Sequence, residues 1–103
     1  MTPIAALDIV ATSASGEERR VALRLEAPRP TASGTWLCAL TLDGLHDQPA
    51  PIEGANSLQA LCLALRLAEI TLRALVADGG RLVFPDGEPF VLDAYFTRPQ
   101  TAR

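Results

Sequence analysis

At 103 residues and 11.0 kDa the chain has room for one hydrophobic core and is too short for two. Its net charge of −3 and pI near 5.0, with Arg as its only cation besides one histidine, make nucleic acid a poor partner, because phosphate neutralisation needs clustered positive charge. Apolar residues at 49% and charged residues at 20% are ordinary for a folded domain and argue against disorder. Two cysteines, Cys38 and Cys62, are too few for a disulfide scaffold. The first residues, MTPIAALDIVATS, lack a basic n-region and place Asp8 inside an apolar run, so no signal peptide is expected, and the expected location is cytoplasmic.

Residues Pro3 to Ala11 are compatible with a strand, and TSASGEE after them is a polar turn. RRVALRLEA alternates, with Val21, Leu23 and Leu25 on one side and Ala22, Arg24 and Glu26 on the other, as a half-buried strand requires. PRPTASG breaks it, since two prolines cannot donate to a ladder. TWLCALTLDG alternates again. Trp36, Cys38, Leu40 and Leu42 form the apolar face, and Leu37 is the one bulky apolar residue on the other. LHDQPAP reads as a loop, and PIEG as a short edge strand.

Asn56 then suits an N-cap, with Gln59 three residues on as a variant of the capping box. The helix is predicted over about 57–78, with Gly79 as its left-handed terminator. It is long enough to span a bilayer, but Gln59, Arg66, Glu69 and Arg73 lie within it, so no membrane span is expected. RLVF and FVLDAYF are predicted as two strands around a PDGE turn, and 97–103 as a frayed polar tail. One helix in the order β-β-β-(β)-α-β-β excludes alternating parallel crossovers. The expected architecture is a single α+β domain over 1–103. It would be a two-layer sandwich, with a mainly antiparallel sheet of about five to six strands and the helix on one face.

At 100° per residue, Gln59, Cys62, Arg66, Glu69 and Arg73 fall within about 80° of one another as a narrow polar stripe. The rest is apolar or small. Leu58, Leu61, Leu65, Leu72, Leu75 and Val76 form one ridge, Leu63, Leu67 and Ile70 a second, and Ala60, Ala64, Ala68, Thr71 and Ala74 a valley between them. An apolar arc of roughly 240° exceeds the little over 100° that a helix lying on a sheet needs. Either sheet curvature, the N-terminal strand and the C-terminal AYF wrap the second ridge, or Leu63, Leu67 and Ile70 pack against a second copy or another protein.

Catalytic signals are weak. His46 beside Asp47 has the chemistry of a general base, but no nucleophile motif accompanies it, and it reads as a solvated loop residue. Cys38, Cys62 and His46 lack metal-ligand spacing. Cys38 reads as a small core hydrophobe; Cys62 borders the polar stripe, one turn from Arg66. No glycine-rich phosphate loop and no nucleophile elbow occurs. Arg66, Glu69 and Arg73 read as a self-neutralising solvated face, with anion or partner recognition as the sharper reading. Trp36 is expected in the core, and Tyr95 and Phe96 at the sheet edge.

GTWLCALTLDGL followed by IEGANSLQALCLAL resembles an uncharacterised family of small bacterial proteins with a pattern G-x-W-x-C, then G, then G-x-(D/N)-S-L-Q-A-L. The matching positions are Gly34, Trp36, Cys38, Gly44, Gly54, Asn56, Ser57, Leu58, Gln59, Ala60 and Leu61. Asn56 stands where Asp is commoner, and both cap helices. The resemblance implies no activity. The expectation is a non-enzymatic interaction module, immunity-like in one version, that needs no cofactor or metal and binds itself or a protein partner through the helix. The alternative is a small-molecule-binding protein or cryptic enzyme using a cleft near Cys62, Arg66 and His46.

Overall fold

Alternation in the first half of the chain becomes a meander. In a computed structural model that describes residues 3–96, strand β1 (Ala5–Thr12) runs through a tight loop into β2 (Glu18–Leu25). Their register pairs Ile9 with Val21 and Leu7 with Leu23, which puts the odd-numbered side chains of both strands on one face. Strand β4 (Trp36–Asp43) pairs antiparallel with β2, Leu23 opposite Leu42 and Leu25 opposite Leu40.

The proline-containing break holds a strand that the alternation argument missed. β3 (Arg29–Pro30) pairs Arg29 with Leu37 and Pro30 with Trp36, one residue out of register with the β2 pairing. Between them Glu26 N–H still donates to Ala39 O at 3.1 Å. Ala27 and Pro28 therefore form a bulge along one edge of β4, a position that tolerates proline. On the opposite edge β5 (Ala50–Gly54) pairs with Trp36–Leu40, as expected for PIEG.

Helix α1 (Ser57–Ala77) follows, and β6 (Arg81–Val83) returns antiparallel to β1. The sheet is thus ordered β5-β4-β2-β1-β6, with β3 continuing the β2 side. The protein is an α+β two-layer sandwich: an antiparallel sheet of six short strands with one long helix packed on it. Ile9, Ala11, Val21, Leu23, Leu25, Cys38, Leu40 and Leu42 face the helix and form the buried core. The other face stays open and carries Asp8, Val10, Arg20, Ala22, Arg24, Leu37, Ala39 and Thr41. Arg24 pairs there with Asp8 at 3.2 Å.

The strand expected over FVLDAYF is not one. After a turn at Phe84–Glu88, only an isolated bridge, Val83 to Pro89, and a Phe90 N–H bond to Leu82 O extend the ladder. The chain then forms a single helical turn, α2 (Leu92–Tyr95). Pairing with β6 stops at Phe90, and Phe90, Leu92 and Phe96 turn onto the core. The tail expected over 97–103 lies outside the described residues.

Candidate functional site

Both ends of α1 are set by local hydrogen bonds. Asn56 Oδ1 accepts from Gln59 N–H at 2.8 Å, and Gln59 Oε1 accepts from Ala55 N–H at 2.6 Å, one residue upstream of the usual capping-box target. At the other end Gly80 N–H donates to Leu75 O and Gly79 N–H to Val76 O. That is a Schellman closure, with Gly79 at φ +94° as the left-handed residue.

The face that α1 buries joins three alanines of the valley to Leu72 of the first ridge. Ala60, Ala64, Ala68 and Leu72, spaced four apart, are fully buried, and Leu61, Leu67 and Leu75 pack beside them on the core. A single methyl at each of the three alanines lets the helix backbone approach the sheet closely, which longer side chains at those positions would prevent. Leu61, Leu67 and Leu75 flank this row, and the other ridge residues, Leu58, Leu63, Leu65, Ile70 and Val76, stay exposed.

This placement divides the expected second ridge. Leu67 is half-buried against the core and leaves the candidate interface. Leu63 and Ile70 remain 42% and 53% exposed, seven residues apart on the solvent side. Cys62 is exposed between the two ridges, and Arg66 is exposed with no hydrogen bond or ion pair among the described residues. On the opposite flank Leu58, Leu65 and Val76 are also exposed, so neither ridge is wrapped. The C-terminal AYF segment meets α1 at Arg73. Tyr95 stacks at 4.7 Å on Phe90, and Phe96 sits beside Arg73.

Nor is the polar stripe uniformly solvated. Arg73 Nε donates to Glu69 Oε2 at 2.8 Å, and its Nη2 donates to Asp93 Oδ1 and to Phe96 O, each at 2.9 Å. One guanidinium thereby joins α1 to both ends of the α2 turn, and the hydrogen bonds to Glu69 and Asp93 raise its pKa above the ordinary arginine value. The i, i+4 pairing of Glu69 with Arg73 was legible in the sequence; the second and third partners, Asp93 and Phe96 O, arrive only through the tertiary fold.

The chemistry-bearing residues do not converge. Cys38 is fully buried, its S–H donating to Glu26 O at 3.3 Å, and burial followed by the Glu26 charge pushes its thiol pKa up. His46 is exposed just after β4, its backbone N–H bonded to Leu42 O. Its neighbour Leu45 shares a surface depression with Leu75, whereas Cys62 lies thirteen residues earlier on α1, about 20 Å along the axis. The cleft expected to join Cys62, Arg66 and His46 is thus not assembled. Among the described residues no three of His, Cys, Asp and Glu gather as a metal site would require, and no helix is long and apolar enough to cross a membrane.

The arrangement is that of a small α+β domain whose one long helix keeps apolar side chains on its solvent side. The chain belongs to a family described as a domain of unknown function (DUF6968), whose model matches residues 9–90. That span begins within β1, ends at the residue before α2's N-cap, and takes in β2 to β6 and all of α1. No curated protein and no solved structure matches the chain.

Proposed function

We propose that the protein is a non-enzymatic interaction module that docks a second copy of itself or another protein on the solvent side of α1. The observation carrying this reading is that α1 leaves apolar side chains open to solvent, Leu63 and Ile70 beside the exposed Arg66, with Leu58, Leu65 and Val76 open on the opposite flank. Exposed apolar side chains on a helix that is otherwise closely packed mark contact surfaces more often than chemistry. Scattered nucleophiles and a dispersed His46 point the same way. An immunity-like role is the version of this reading in which the partner is another protein.

The test is the solution mass of the full chain by light scattering, and the set of proteins it retains from its source cell, each compared with Leu63→Glu and Ile70→Glu. Both substitutions sit at exposed positions and leave the core intact, so circular dichroism and thermal midpoint should match the unsubstituted protein. The expected result is that an oligomer or a retained partner is lost in both variants. An oligomer or partner that survives both substitutions, in protein that remains folded, overturns the reading.

A further inference from the structure

We draw no further inference here: the strongest candidate, the two shallow depressions on the open face of the sheet that share Arg20 and Pro85, offers no buried polar side chain directed into either, and nothing in the structure shows what occupies them.

Discussion

Gly54, the last residue of β5, lies against the first turn of α1 so closely that a Cβ built on it would stand 2.5 Å from the Ala60 nitrogen and 2.8 Å from the Ala60 Cα. Both atoms belong to the backbone, so no rotamer change relieves the contact. Gly54→Ala should therefore cost about 2–3 kcal/mol, read as a lowered urea midpoint at unchanged slope. Ala60→Gly should not restore it, since the obstructing atoms remain. A midpoint within error of the unsubstituted protein would show that β5 and α1 are less tightly apposed.

The alanine stripe makes a second expectation. Ala64 and Ala68 are fully buried where the helix meets the sheet. Enlarging either to Leu adds three carbons where no space exists, at about 1–3 kcal/mol each, although Leu and Ala are both good helix formers. The same change at exposed Ala74 should be near neutral. Equal effects at all three positions would place the sheet contact on another face.

Arg73 supplies a third. Its contacts with Asp93 and Phe96 O are to the α2 turn and its C-cap, which no strand ladder holds. Arg73→Ala should speed amide exchange at Ala94 and Phe96, whose N–H groups bond Val91 O and Leu92 O, while the middle of α1 keeps its protection. Arg73→Lys should restore little, because an ammonium lacks the planar fork that reaches a carboxylate and a carbonyl together. Unchanged exchange at both amides would mean that apolar packing alone holds the turn.

The two thiols should behave oppositely. In native protein a disulfide-exchange reagent should modify Cys62 at once and Cys38 only on unfolding, since Cys38 is buried and bonded to Glu26 O. The raised Cys38 pKa also predicts a pH dependence. The folded state holds that proton more tightly than the unfolded chain, so the stabilisation is complete below the unfolded thiol value of about 8.5 and is lost as pH rises through the higher folded value. Thermal midpoints should fall above about pH 8.5 in the unsubstituted protein, and less steeply in Cys38→Ala. Parallel slopes would remove Cys38 as the cause.

Much of the architecture is legible because it rests on short-range regularities. The alternations 21-23-25 and 38-40-42 name buried residues correctly, since a strand's side-chain period is two whatever it packs against. Asn56, Gln59 and Gly79 mark the helix ends because caps are satisfied by neighbours in sequence. FVLDAYF misleads because an apolar run suits a strand or a buried turn equally, and pairing with β6 stops at Phe90, its first residue. The two-residue β3 was invisible for a related reason. A bulge at Ala27 and Pro28 has no periodicity to detect and exists only where β4 offers a partner.

The candidate surface shows the same division. By itself the sequence determined the antiparallel α+β class, the span of α1, and the fact that its apolar residues exceed what one contact face can use. Only the tertiary structure decided which stripe goes down. Ala60, Ala64 and Ala68 meet the sheet, with Leu72 continuing their row, because small groups permit the closest approach of backbone to backbone, and hydrophobicity counts cannot express that steric preference. Leu67 then falls inward, Arg73 is claimed by α2, and Leu63 and Ile70 are left facing solvent around Arg66.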